Sequence, residues 1–335
     1  MKKGYLSVKV FAIVIFISLF TLPTIAGTWM ETDFDDFADG SFDSGGNIFA
    51  SIAGELKIIG QQWDLNGDGF LDIVFNNSYE NSDSYIYWGS IDGFSVNNRT
   101  ELPTKYAAST SVDDLNGDGF PDIVFANHYD QVISSYNINS FIYWGSANGF
   151  SSDNRDELPT HGAVGSSVAD LDRDGFLDII FSNRFNNTSY NVDSFIYWGS
   201  ANGFSDANKT GLEIHGGHGC SIADLDCDNF LDIVFSNHYY ENSYIYWGTP
   251  NGYSSINRLE LPTVNATGNL IADFDNNSLL DIAFCNGNIN FPSFIYWGST
   301  EGFSINDRKE LTTQVANLVI EKDLGDVYTR QNEFI

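Results

Sequence analysis

The chain is short of cysteine, proline, basic residues and long apolar runs. Cysteine occurs three times in 335 residues, as Cys220, Cys227 and Cys285. An odd number at these spacings builds neither a disulfide framework nor a zinc site, and leaves free thiols or a Cys220–Cys227 pair. Lys and Arg total 15 against 45 Asp and Glu, a formal charge of −30. Such a chain does not seek phosphate backbones, so nucleic acid is not expected as a partner. Only one long apolar run is present, "VFAIVIFISLF" (Val10–Phe20). It is short for a membrane span, which needs roughly 20 residues.

Lys2, Lys3 and Lys9 precede that run and "TIA" (Thr24–Ala26) follows it. A basic start, an apolar core and small residues at the end read as a secretory signal over residues 1–26. Residues 27–335 then form the mature domain, secreted or at the cell surface. An uncleaved signal is the alternative, and the membrane enters only through it.

Glycine (31), phenylalanine (27) and tyrosine (17) are abundant. With little proline, that balance predicts ordered, strand-rich structure with many tight turns. "DLNGDGFLDIVF" begins at Asp64, and kindred segments begin at Asp114, Asp170, Asp224 and Asp273. "YWG" recurs around Trp88, Trp144, Trp198, Trp247 and Trp297. Glu-Leu-Pro-Thr or a close variant starts at Glu101, Glu157, Glu260 and Glu310, while the copy between the second and third of these departs, reading "GLEIHG" from Gly211.

Each unit parses into four strands. In the third copy these are "GSSVAD" (Gly165–Asp170), "LDIIFSN" (Leu177–Asn183), "SFIYWG" (Ser194–Gly199) and a fourth running on from "GFS" at Gly203. The second and third are nearly unbroken apolar runs, as in strands covered on both faces. The "ANG", "IDG", "PNG" or "TEG" before the fourth supplies positive φ angles for a tight hairpin.

Four antiparallel strands repeated every fifty or so residues predict an all-β fold, a β-propeller of four-stranded blades. A β-solenoid is the runner-up and would favour shorter repeats. Five complete units run from Ile58 to Ala316. "ELTTQVANLVIEKD" (Glu310–Asp323) aligns without gaps on "ELPTVNATGNLIAD" (Glu260–Asp273), so the tail begins a further unit. "NIFASIAGELKII" (Asn47–Ile59) reads as a hairpin that completes it. Six blades are expected, the last closed by strands from both ends, which removes exposed edges; seven is the alternative.

Four positions of each acidic segment are Asp or Asn throughout. Position 1 is Asp64, Asp114, Asp170, Asp224 and Asp273. Position 3 is Asn66, Asn116, Asp172, Asp226 and Asp275. Position 5 is Asp68, Asp118, Asp174, Asp228 and Asn277. Position 9 is Asp72, Asp122, Asp178, Asp232 and Asp281. Position 7, Phe70, Phe120, Phe176, Phe230 and Leu279, has a backbone carbonyl to add. Gly at position 6 of the first three copies permits a sharp turn. This all-oxygen set suits Ca²⁺ better than magnesium's stricter octahedron, and without His or thiolate it does not suit zinc or copper. Position 12 is Phe75, Phe125, Phe181, Phe235 and Phe284, where a helix–loop–helix site has a bidentate Glu. Up to five Ca²⁺ are expected, which would bring the charge from −30 to −20. Loop four has Asn229 at position 6, and loop five has Asn277 and Ser278; the fifth should bind most weakly.

The "D-x-[DN]-x-[DN]-G-x-x-D" loops, the apolar strand after each and the "YWG…GF" segments resemble the FG-GAP or VCBS repeats, which include the propeller of integrin α chains. The resemblance covers about Ile58 to Asp323. It implies a propeller with calcium in the first hairpin of each blade. It also implies roles ranging from adhesion and glycan binding to propellers attached to hydrolases or lyases. The expected function is an exported calcium-binding module for adhesion or for an extracellular glycan or protein ligand. The alternatives are a polysaccharide lyase or glycosidase, or a purely structural surface protein. No catalytic constellation stands outside the repeat, so a non-enzyme is expected. The Asn after each second strand (Asn77, Asn127, Asn183, Asn237, Asn286) and the histidines His128, His161, His215, His218 and His238 are candidate sugar contacts. Capping of strand ends by Asn is the competing reading and the favoured one.

Overall fold

The computed structural model describes residues 49–50, 56–58, 63–78, 83–288, 291–313 and 319–320. The signal segment, residues 59–62 and the end of the tail lie outside it. Among the described residues there are 22 strands and no helix, hence no helix long and apolar enough to cross a membrane. The first strands are β1 (Phe49–Ala50), β2 (Leu56–Ile58), β3 (Ile73–Phe75), β4 (Ser84–Tyr87) and β5 (Arg99–Leu102). The second unit holds β6 (Ala107–Asp113), β7 (Asp122–Asn127), β8 (Asn137–Tyr143) and β9 (Arg155–His161). The third holds β10 (Ala163–Ala169), β11 (Asp178–Asn183), β12 (Asn191–Tyr197) and β13 (Lys209–His215). The fourth holds β14 (Gly217–Ala223), β15 (Asp232–Asn237), β16 (Asn242–Tyr246) and β17 (Arg258–Pro262). The fifth holds β18 (Ala266–Ala272), β19 (Asp281–Asn286), β20 (Ser293–Tyr296) and β21 (Arg308–Leu311), and β22 (Val319–Ile320) follows.

Units two to five are each a four-stranded antiparallel meander in chain order, and β3-β4-β5 is the described part of unit one. The remaining sheet, β1-β2-β22, joins strands from both ends of the chain. The β1–β2 hairpin expected from Asn47–Ile59 is present, with Phe49 opposite Lys57. β22 pairs parallel to β2, whereas the other paired strands are antiparallel.

Successive first strands lie side by side, β6 on β10, β10 on β14, β14 on β18 and β18 on β22. They approach so closely that only small residues fit. A Cβ on Gly165 would sit 2.4 Å from the His218 carbonyl oxygen, and the Ser111 and Ser166 hydroxyls meet at 2.9 Å. The second strands β7, β11 and β15 are buried at every residue, as their unbroken apolar runs predict. Position-12 Phe125, Phe181, Phe235 and Phe284 are fully buried, edge-on to the "YWG" tyrosine of the same sheet at 5.8–6.1 Å. Each contributes roughly 1.5–3 kcal/mol by burial.

The repeat markers also hold one sheet to the next. The Tyr143, Tyr197 and Tyr246 hydroxyls donate to the carbonyls of Pro103, Pro159 and Glu213 in the preceding unit, each at 2.6 Å, and Tyr296 bonds Pro262 likewise. Arg155 Nη1 donates to the same Tyr143 oxygen at 3.1 Å and Nη2 to Glu157, a pattern repeated at Arg99, Arg258 and Arg308. Trp88 stacks on Phe150 of the next unit, Trp144 on Phe204 and Trp247 on Phe303.

The fourth strand lies later than the sequence suggested. It is the Glu-Leu-Pro-Thr segment or its variant, Lys209–His215 in the third unit, and "GFS" is an irregular stretch before it. The reason is that the Phe of "GF" serves the neighbouring Trp, while Asn208 N–H closes a turn on the Ser205 carbonyl at 3.0 Å. Of the Asn-Gly pairs only the glycine has positive φ, as in Gly149 at 77°. The turn is therefore not the mirror-image hairpin expected, and Ser146 Oγ locks it by donating to the Gly149 carbonyl at 2.8 Å.

Replacing Tyr143 by Phe keeps the ring and removes the inter-sheet bond. Equilibrium urea unfolding should show a loss of about 1 kcal/mol. An unchanged midpoint would deny the brace.

Candidate metal centres

Each acidic loop links the first and second strands of its unit. A single hydrogen-bond pattern shapes it. In the second loop, Asp114 Oδ1 accepts the N–H of Asp118 at 3.1 Å and Oδ2 that of Gly119 at 2.8 Å. Asn116 Oδ1 accepts the Asp118 N–H at 2.8 Å, and Asp118 Oδ1 accepts the Phe120 N–H at 2.9 Å. Asp122, at position 9, uses both oxygens: Oδ2 accepts the N–H of Leu115 at 2.9 Å, and Oδ1 that of Gly145 at 2.7 Å. The same six bonds recur in the first loop, the third, the fourth and the fifth.

Position 9 was legible as a ligand but not as a brace. Its carboxylate is buried, no more than 3% exposed in any loop. It joins the acidic loop to the turn after the third strand through the glycine of "YWG". That glycine admits no side chain, since a Cβ on Gly145 would lie 2.2 Å from the Pro121 carbonyl oxygen, with equivalent contacts at Gly89, Gly199, Gly248 and Gly298.

The backbone takes positive φ at position 6, near 90° at Gly69, Gly119 and Gly175, and also at 71° for Asn229 and Ser278. The departures in loops four and five thus keep the loop shape. Position 4 has positive φ too: 74° and 72° at Gly67 and Gly117, and 61–66° at Arg173, Cys227 and Asn276. Gly at positions 4 and 6 of "DLNGDG" carried that signal. Cys227 is therefore an exposed loop residue, and all three cysteines are free thiols.

In the last three loops the carboxylates at positions 1, 3 and 9 converge. One oxygen each from Asp170, Asp172 and Asp178 lies within 4.8 Å of the others, as do those of Asp224, Asp226 and Asp232, and of Asp273, Asp275 and Asp281. In the first two loops position 3 is Asn66 and Asn116, with an amide oxygen in place of a carboxylate. Position 5 is not part of these groups; its Oδ1 is committed to the position-7 N–H. The donors fit a hard cation: they are all oxygen, they carry several negative charges, and the backbone bonds aim them before any ion arrives.

Without a cation this is costly. Burial pushes Asp72, Asp122, Asp178 and Asp232 up to about 7, against the two backbone N–H bonds each accepts, and neighbouring carboxylates push the same way. Asp281 is raised for the same reason. Asp172 and Asp226 are raised by burial and by the adjacent position-5 carboxylate.

The candidate sugar contacts fare differently. Asn77, Asn127, Asn183, Asn237 and Asn286 are buried. Asn127 Nδ2 donates to the Asn139 carbonyl at 2.9 Å and its Oδ1 accepts the Lys105 N–H at 3.0 Å, with counterparts at Asn183, Asn237 and Asn286. They cap strands, as the competing reading held. His161 and His215 pair through Nδ1 with Asn137 and Asn191 Oδ1, both at 2.7 Å, and belong to the frame.

Ser278→Gly should relieve the strained position and stabilise the protein by about 1 kcal/mol in urea unfolding. A folded-state carboxyl raised above its unfolded value penalises the fold as pH climbs through the range between the two. Chelator-treated protein should therefore melt at higher temperature at pH 6 than at pH 8. A melting temperature that instead rises with pH would contradict the buried-carboxylate account.

The family described as FG-GAP-like repeat matches residues 64–125 and 114–181. No curated protein matches the chain. Among solved structures, it is similar to an Agrocybe aegerita lectin described with specific recognition of non-reducing terminal N-acetylglucosamine, at 15% identity and TM-score 0.43, over 75% of this chain and 65% of that one. It is similar to the V. cholerae biofilm matrix protein Bap1, at 17% identity and TM-score 0.43, over 76% and 39%. It is also similar to the Photorhabdus luminescens Tc holotoxin pore, at 13% identity and TM-score 0.33, over 82% and 12%. The chain spans less than two thirds of each of these structures. Residues 64–181 belong to the FG-GAP-like repeat family, and the loop geometry found there recurs in the two units that follow.

Proposed function

We propose that the chain is an exported, calcium-binding β-propeller that serves as a binding or adhesion module for an extracellular glycan or protein. The observation that carries the reading is the loop skeleton repeated five times, in three copies of which the oxygens of positions 1, 3 and 9 converge. Oxygens within 4.8 Å of one another can be spanned by an ion with bonds of roughly 2.4 Å, the calcium range. Each ion would be held by positions 1, 3 and 9 with position 5 and the position-7 carbonyl in support. Its charge offsets the buried Asp, so binding contributes directly to folding stability.

Ring closure is part of the proposal. Five units and the shared β1-β2-β22 sheet make six blades, supported by β22 lying against β18 and β1 against β3. Export is supported by the basic, apolar and small-residue pattern of residues 1–26. We read the module as non-catalytic, because the acidic side chains recur in every unit, whereas an active site is a single constellation.

Native mass spectrometry of the mature protein during calcium titration, followed in parallel by melting, tests this. Four or five bound ions and a melting temperature that climbs with them are expected. One ion or none would refute the loop reading.

A further inference from the structure

One of the positions at which the repeat varies lies at the far end of the sheets from the acidic loops. The buried Asn at the end of each second strand is followed by Ser78, His128, Arg184, His238 and Gly287. The acidic loops precede these strands and these residues follow them, so the two lie at opposite ends of the sheets. What the scaffold requires recurs in every unit; this position is released from that requirement.

Arg184 is the centre of what collects there. Its Nη2 donates to Tyr239 Oη of the next unit at 2.7 Å, and its guanidinium carbon lies 5.2 Å from that ring's centroid. His238 stands edge-on to Tyr239 at 4.5 Å and faces His218 at 5.6 Å. Burial and the Arg184 charge keep His128, His218 and His238 neutral, lowered to about 4, 3 and 4. Arg184 Nε and His238 Nδ1 are buried with no hydrogen-bond partner among the described residues.

The electrostatics are unusual for this chain. Arg99, Arg155, Arg258 and Arg308 each hold a Glu at 2.9–3.4 Å. Arg184 has no carboxylate within ion-pair distance among the described residues, in a protein with thirty more acidic than basic side chains. A bound anion would supply the counter-charge that Arg184 lacks. Beside it, Tyr190 and Tyr239 pack at 3.9 Å and remain 38% and 44% exposed.

We propose that Arg184, with Tyr190 and Tyr239, binds the carboxylate of an acidic sugar residue. The guanidinium takes the carboxylate in a charge-assisted pair, and the partly exposed Tyr190 and Tyr239 offer phenol hydroxyls to those of the pyranose. An acidic peptide is the weaker fit, because acidic motifs are taken by clusters of arginines, and Arg184 is the one arginine of this group. This inference rests on the binding-module reading and adds to it a ligand class and a place.

The test is calorimetry of the full mature protein in calcium buffer with trigalacturonic acid, with cellotriose as a neutral trisaccharide and a Glu-rich peptide as the other arms. Wild type should bind trigalacturonic acid and not cellotriose. Arg184→Gln should weaken binding at least roughly tenfold, the loss of one charge-assisted bond. Arg184→Lys should recover part of it. An unchanged melting temperature and calcium count would show that both variants fold. Equal affinity of Arg184→Gln and wild type would overturn the assignment. So would binding of cellotriose or the peptide in place of the uronate, although the module reading would then survive. Failure of all three, and of a glycan array, would remove both.

Discussion

A buried carboxylate with both oxygens engaged is the constraint on which each unit rests. Position 9 of every acidic loop is an Asp shut away from solvent. One of its oxygens fastens the start of the loop, and the other fastens the glycine that follows the third strand. Two hairpin ends are thereby tied to one side chain. A charge in that place is tolerable because backbone donors share it, and the proposed cation would share it further. The acidity of the chain, read as bulk composition, suggests a solvated surface; read by position, much of it belongs to these loops.

The tie explains residues that otherwise look decorative. The glycine of "YWG" must be glycine because the bonded N–H brings its α-carbon against the backbone of the loop. Its neighbours in the motif work between units instead. The tyrosine hydroxyl reaches a carbonyl of the preceding sheet, and the tryptophan stacks on the next. Intra-sheet and inter-sheet cohesion are thus encoded in three consecutive residues.

The sequence disclosed the repeat, the all-β character, the loops and the buried runs, because periodicity and ligand chemistry are local signals. It hid what depends on neighbours in space. The fourth strand was placed too early because "GF" reads as strand, and only the facing Trp144 shows why Phe204 is spent on an irregular stretch. Left-handed backbone at position 4 was masked by Arg173 and Cys227, residues that conceal a conformation Gly67 and Gly117 advertise. For Asn127 and its equivalents capping was favoured over recognition, and their burial and backbone bonds bear that out. Arg184 drew no notice at all: nothing local says that an arginine lacks a carboxylate.

Conserved function within the molecule is divided by end. One end of the sheets repeats its acidic loops almost letter for letter and is taken up with cohesion. At the other, the residue after the same buried Asn varies among Ser, His, Arg and Gly, which is where a scaffold of this kind is free to specialise. The most direct test of the claim that metal charge holds the sheets through position 9 is amide hydrogen exchange at Gly89, Gly145, Gly199, Gly248 and Gly298. The account predicts slow exchange at these glycines in calcium, accelerating together when the ion is chelated. Identical rates with and without calcium would contradict it.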